Sequence, residues 1–235
     1  MAIDLICLDA DDTLWHNETF FRLTYQRFAA LLAPYSEAGI VAERLAATER
    51  RNLSIYGYGA KGFTLSMIET ALDVIGDDVP RPVLSEILTA GREMMRHPVE
   101  VLDGVTEALD ALAQRGRLVL VTKGDLFHQE SKLASSGLGE RFSGIEIVSE
   151  KTPDIYRRVF ARYGAAPEQV LMAGNAMRSD VLPALAAGAY AALVPYEIAW
   201  DHESDAAPVD QPRYRELFSL GELAGWIDEI NAASA

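Results

Sequence analysis

Ile3-Asp4-Leu5-Ile6-Cys7-Leu8-Asp9-Ala10-Asp11-Asp12-Thr13-Leu14 decides how the rest of the chain is read. A mostly apolar run rich in strand formers ends abruptly in aspartates 9, 11 and 12, followed by a threonine. Carboxylates this crowded repel one another by about 1 kcal/mol per pair at about 4 Å in water, and by more where solvent is thin. A cation at the site would reverse the sign of that cost. An acidic turn capping a buried strand accounts for Asp12. It does not account for Asp9 and Asp11 recurring two apart, where an extended backbone aims both the same way.

Beyond Leu14 the pattern turns helical and stays so to about Pro98. Phe21, Tyr25, Phe28 and Leu32 share one helical face, and a second helix is expected from Ser36 to about Ile55 with Val41, Leu45 and Thr48 inward. Leu65, Ile68, Leu72 and Ile75 mark a third, and Val83, Ile87, Ala90 and Met94 a fourth, entered through Pro80 and Pro82. Such stripes read as the core of a small helical bundle. Tyr56–Phe63 reads as a flexible aromatic loop between two of these helices, and it carries Lys61, the only lysine between residues 16 and 98.

From Val99 short apolar runs alternate with helical ones. Strands are expected at Leu118–Val121, Gly144–Val148, Val170–Ala173 and Tyr190–Val194, a loop at 200–215, and a closing helix at Gly221–Ala232. That order means a parallel sheet covered on both faces. The chain therefore divides into an α/β core of residues 1–15 and 99–235 and an inserted helical domain of residues 16–98. The insertion is expected over the carboxyl ends of the strands, where open α/β sheets bind ligands and where a lid would act.

Four clusters fall at those strand ends: Asp9 with Asp11, Thr122, Lys151, and Asn175 with Asp180. Singly each has an ordinary reading. Thr122 fits plain strand propensity, Lys151 a solvated loop charge, Gly174-Asn175 a turn, and Asp180 a helix cap. Their order along one sheet edge makes them a site.

This pattern resembles the haloacid dehalogenase-like (HAD) superfamily. Asp9-Ala10-Asp11-Asp12-Thr13-Leu14 looks like its DxDGT motif, with Asp12 where glycine is commoner. Thr122 and Lys151 match its second and third motifs, and Gly174-Asn175-x4-Asp180 its acidic fourth. The resemblance implies a Rossmann-like parallel-sheet core with an α-helical cap inserted after the first motif. It implies a phosphatase in which Asp9 attacks phosphorus and Asp11 serves as acid and base. Thr122 would hydrogen-bond a phosphoryl oxygen and Lys151 would neutralise its charge, with Lys123 and Lys61 as further substrate contacts. Mg²⁺ would be held by the Asp9 carboxylate, the Asp11 carbonyl, Asn175 and Asp180, oxygen donors that suit this cation. Asn175 departs from the family's aspartate and leaves the metal site one negative charge poorer.

The resemblance leaves rivals. Haloacid dehalogenation needs neither Asp11 nor Mg²⁺, because halide leaves without a proton. Phosphonate cleavage would recruit Lys61 as a Schiff base, and a phosphomutase would require a bisphosphate activator. A non-catalytic phospho-ligand-binding protein on the same fold would have no use for a nucleophile and acid pair.

Bulk properties narrow the partners. A chain of 235 residues, 49% hydrophobic and 24% charged, suits one α/β domain with a smaller companion. A formal charge of −14 argues against nucleic acid and anionic membrane, not against a small phosphorylated metabolite held by a local cation. Cys7 is the only cysteine, and His16, His97, His128 and His202 show no metal-ligand spacing. With no leader and no apolar run near the ~20 residues of a membrane span, a cytoplasmic enzyme is expected.

Overall fold

The first strand, β1 (Leu5–Leu8), is buried along its whole length. It lies inside a six-stranded parallel sheet with β2 (Arg117–Lys123), β3 (Gly144–Val148), β4 (Val170–Gly174), β5 (Tyr190–Leu193) and β6 (Tyr214–Glu216), in the order β3-β2-β1-β4-β5-β6. Cys7 faces Val119 on one side and Met172 on the other. A parallel strand covered on both faces needs no polar alternation, which is why Leu-Ile-Cys-Leu is apolar throughout. The computed structural model describes residues 2–76, 78–198, 203 and 205–233. His202 lies outside them.

Alternate side chains of β1 feed two cores. Ile6 and Leu8 join Leu118, Leu120 and Leu171 beneath α5 (Val105–Ala113) and α9 (Leu223–Ala233). Leu133 of α6 (Leu126–Ser136) belongs to the same cluster. Leu5 and Cys7 join Val119, Val121 and Met172 on the other face, beneath α7 (Pro153–Arg162) and α8 (Leu182–Ala186). Because all strands run the same way, their carboxyl ends share one edge. The order reverses around β1, which has β2 on one side and β4 on the other, so the crevice of an open α/β sheet opens beside Asp9.

The sheet and its helices form one compact unit, made of Met1–Glu18, Val99–Lys123 and Gln129–Ala235. Thr19–Pro98 together with Gly124–His128 forms a second. The second contains α1 (Glu18–Leu32), α2 (Ala38–Tyr56), α3 (Ala60–Ile75) and α4 (Arg81–Arg96) around a core of Phe28, Leu32, Val41, Leu45, Phe63, Met67, Ile87 and Met94.

Three expectations change. In α3 the inward face is Ala60, Phe63, Met67 and Ala71, while Leu65 and Leu72 are exposed. Ser66 and Thr70 sit on the buried face because each hydroxyl donates to the carbonyl four residues back, those of Gly62 and Ser66, at 3.0 and 2.8 Å. Of the aromatic loop only Gly57–Gly59 remains non-helical, so Lys61 and Phe63 lie on α3. The stretch expected as loop at 200–215 includes the start of β6, which pairs with β5 at Ala191–Leu193. Among the described residues no helix is long and apolar enough to cross a membrane.

Candidate active site

Regular pairing in β1 stops at Leu8, and the chain then turns back on itself. Asp12 N–H donates to the Trp15 carbonyl at 2.8 Å and Leu14 N–H to the Ala10 carbonyl at 2.8 Å. The two carboxylates expected to aim the same way therefore acquire different partners, because the backbone between them is no longer extended.

Asp9 is 6% exposed and ion-paired with Lys151, which reaches it from the loop before α7. Lys151 Nζ also donates to Asp180 Oδ1 at 2.6 Å. One ammonium thus serves two buried carboxylates. Burial pushes the Asp9 carboxyl up to about 7, against the pull of Lys151, and Asp180 adds to the rise. Burial pushes Lys151 down, but Asp180 and Asp9 outweigh it and hold the ammonium above its ordinary value.

Asp180 itself is fully buried, in a π-helical turn at Met177–Val181 that follows β4. Its Oδ2 accepts the Ala176 N–H at 2.9 Å. Gly174 leaves room for this carboxylate: a Cβ there would lie 2.2 Å from Asp180 Oδ2. Both Asp180 oxygens are committed within the protein.

Asp11 is held differently. Lys132 Nζ lies 2.5 and 2.7 Å from its two carboxylate oxygens. Trp15 Nε1 donates to Oδ1 at 2.7 Å and Gln129 Nε2 to Oδ2 at 3.1 Å. Burial alone would raise the Asp11 pKa. The Lys132 charge, with the hydrogen bonds from Lys132, Trp15 and Gln129, brings it below the ordinary carboxylate value. Gln129 also donates to Thr122 Oγ1 at 2.6 Å, so the second-motif hydroxyl and Asp11 share one partner.

Asp12 caps a helix. Its φ of 61° is left-handed, a conformation aspartate tolerates and glycine adopts freely. Its carboxylate accepts the N–H groups of Asn17 and Glu18 at 2.8 and 3.0 Å, at the start of α1. Burial raises its pKa to about 7 against those two hydrogen bonds.

Asn175 brings its amide to the first motif. As placed, its oxygen accepts from Thr13 Oγ1 at 3.4 Å. It also lies 3.2 Å from the Asp11 carbonyl oxygen and 3.3 Å from Asp9 Oδ2; the amide turned over would donate to both. The three oxygens therefore converge, and either an N–H group or a cation satisfies them. Neighbouring oxygens around Mg²⁺ stand about 2.9 Å apart, since each lies near 2.1 Å from the ion. The donor set fits that cation. Among the described residues no group of three or more His, Cys, Asp and Glu side chains is arranged for a metal, and this set differs in using one carboxylate, one carbonyl and one amide.

Lys123 Nζ donates to Ser179 Oγ at 2.7 Å and pairs with Glu203, while Ser179 donates to the same glutamate. Lys61, in the helical unit, lies 2.9 Å from both Asp125 oxygens and 5.8 Å from the Phe127 ring centroid. Asp9, Asp11, Thr122, Lys151, Asn175 and Asp180 are thus linked through direct contacts or through Gln129. Lys123 belongs to a neighbouring network, and Lys61 to neither. Gln129, Lys132, Trp15, Ser179 and Glu203 did not emerge from the sequence. The available signal for two of them was a polar pair three residues apart on the helix after Thr122.

The sequence profile of the haloacid dehalogenase-like hydrolases matches residues 3–188. The chain belongs to this family. A haloacid dehalogenase-like family hydrolase from Xanthomonas campestris is 42% identical, with a TM-score of 0.89, over 99% of this chain and 94% of that one. More distant HAD structures share the fold. YfnB from Bacillus subtilis, solved bound to magnesium, is 17% identical with a TM-score of 0.67 over 97% of this chain and 100% of its own. L-2-haloacid dehalogenase from Xanthobacter autotrophicus is 16% identical with a TM-score of 0.63 over 96% and 98%. No curated protein sequence matches the chain. HAD membership makes the chain a hydrolase.

Proposed function

We propose that this HAD hydrolase cleaves a small phosphate monoester through an aspartyl phosphate on Asp9, with Mg²⁺ as cofactor. The observation that carries the reading is the seating of Asp11, a second carboxylate gripped by Lys132, Trp15 and Gln129 beside the nucleophile. A departing alkoxide needs a proton and a departing halide does not, so this investment in Asp11 favours phosphate over haloacid.

Asp9 attacks phosphorus while the ester P–O bond breaks and its electron pair leaves on the alkoxide oxygen. Asp11, ionised at rest, takes up the proton carried by the monoester monoanion, whose second pKa is near 6, and passes it to that oxygen. In the second step Asp11 accepts a proton from the water that attacks the aspartyl phosphate, releasing inorganic phosphate and regenerating Asp9. Lys151 and Thr122 stabilise the transferring group. Asp9, the Asp11 carbonyl and Asn175 would hold Mg²⁺, with Asp180 supporting them through Lys151. When bound, the ion offsets charge on the phosphoryl oxygens. A net charge of −14 suits a small phosphorylated metabolite as the partner rather than nucleic acid or membrane.

Lys61 does not carry the Schiff-base reading, since its ammonium is paired with Asp125. A screen of sugar phosphates, nucleotides, small acid phosphates and p-nitrophenyl phosphate with Mg²⁺ tests the reading. Phosphate release that Asp9→Asn abolishes is expected. Release from none of them, or turnover indifferent to Asp9→Asn, overturns it.

A further inference from the structure

Gln129 is 3% exposed, yet it sits on a helix whose sequence gives no reason to bury an amide. Its Nε2, with two hydrogens, faces three acceptors: Thr122 Oγ1 at 2.6 Å, the Lys123 carbonyl at 3.0 Å and Asp11 Oδ2 at 3.1 Å. A backbone carbonyl can only accept, and so can an ionised carboxylate. These two neighbours fix which way the amide faces, because turned over it would set its oxygen against both. The polarity of the shortest contact follows. Gln129 donates and Thr122 accepts.

A threonine hydroxyl has one hydrogen and two lone pairs. With Gln129 donating into the oxygen, the hydroxyl's own hydrogen is directed elsewhere. With one Gln129 hydrogen on Thr122, the other is shared between the Lys123 carbonyl and Asp11, the nearby acceptors that could capture the hydroxyl hydrogen, and Asp11 is served further by Lys132 and Trp15. A hydroxyl so arranged is a prepared donor for an anionic oxygen. Without Gln129 the Thr122 hydrogen could turn to Asp11 or to the Lys123 carbonyl, and an incoming phosphoryl group would have to pull it away.

We infer that Gln129 is a positioning residue that sets the Thr122 hydroxyl as a hydrogen-bond donor to the phosphoryl group while bracing Asp11. The inference rests on the phosphatase reading above. It makes the inward face of α6 part of the phosphate site, though Gln129 itself does not touch the substrate.

The test is a double-mutant cycle of Gln129→Met with Thr122→Ala. It is read as KM and kcat for a monoester that the wild type turns over, and as the inhibition constant of inorganic phosphate. Gln129→Met keeps the side chain's length and removes its donor. Each single variant is expected to weaken phosphate roughly ten- to a hundredfold, the scale of one hydrogen bond to a charged group. In phosphate inhibition the double variant is expected to be no worse than Thr122→Ala alone, because toward phosphate Gln129 acts through Thr122, while loss of the Asp11 brace lowers kcat further. Gln129→Glu, which sets an acceptor against Thr122 and Asp11, is expected to be worse than Gln129→Met in kcat. Additive losses in phosphate inhibition, or a Gln129→Met variant with wild-type phosphate inhibition, overturn the inference while leaving the phosphatase reading standing. A wild type that turns over no monoester overturns both.

Discussion

Lys132 Nζ stands 2.5 and 2.7 Å from the two carboxylate oxygens of Asp11, one cation gripping both ends of the group assigned to proton transfer. Their side chains are 11% and 24% exposed, so water screens the pair only in part. The Asp11 pKa is lowered in the folded protein, so the pair stabilises the fold above the unfolded carboxylate value near 3.9. That contribution is lost as pH falls through the folded value. Lys132→Met is expected to cost about 2 kcal/mol in urea unfolding at pH 7. The difference from wild type should shrink below about pH 4, and Lys132→Arg should keep most of it. A cost independent of pH would contradict the pairing.

Asp9 has the opposite sign. Its folded pKa is raised to about 7, so between roughly pH 4 and 7 the folded state keeps a proton the unfolded chain has lost. Stability therefore falls as pH rises through that window. Asp9→Asn, which removes the charge and leaves Lys151 with Asp180, is expected to stabilise the metal-free protein by roughly 2 kcal/mol at pH 8 and by almost nothing at pH 4. Denaturant unfolding in a chelator at the two pH values measures this. The same substitution is expected to abolish turnover.

Asn175→Asp adds a carboxylate where an amide now meets Asp9 and the Asp11 carbonyl. Without a cation the added charge repels Asp9, and with one it strengthens the site. The Mg²⁺ concentration for half-maximal activity is expected to fall severalfold, and the metal-free variant to melt below wild type. A variant needing as much Mg²⁺ as wild type would remove Asn175 from the metal's ligands.

At Asp12 cap and backbone strain can be separated. Asp12→Ala loses the two hydrogen bonds to the start of α1 and strains the left-handed φ, for roughly 2 kcal/mol together. Asp12→Gly loses the cap but relaxes the backbone, and Asp12→Asn keeps an acceptor and tolerates the φ. The expected order in urea is Asn nearest wild type, then Gly, then Ala.

The sheet was legible because buried parallel strands write themselves as short apolar runs, and the family motifs because they end those runs in a fixed order. β6 was not legible: Tyr214-Arg215-Glu216 is an edge strand of three residues, polar and close behind Pro212. The inward face of α3 was misread because Ser66 and Thr70 hide their polarity in local hydrogen bonds, while Leu65 and Leu72 look like core. Gln129 and Lys132 read as ordinary polar helix positions, since only tertiary structure sets them against Thr122 and Asp11. Asp12 stood where the family commonly has glycine, and its left-handed φ supplies the reason for that preference.

The central place of β1 also bears on how the protein is made. Cys7 leaves the ribosome well before either of its partners, Val119 and Met172. At translation speeds of about 5–20 residues per second, Cys7 waits roughly ten to thirty seconds for Met172 to be synthesised. During that interval an apolar strand with at least one unpaired edge is exposed to aggregation, while the helical residues that follow it can complete their own local contacts. The strand that leads into Asp9 is thus one that biosynthesis leaves waiting for partners more than a hundred residues away.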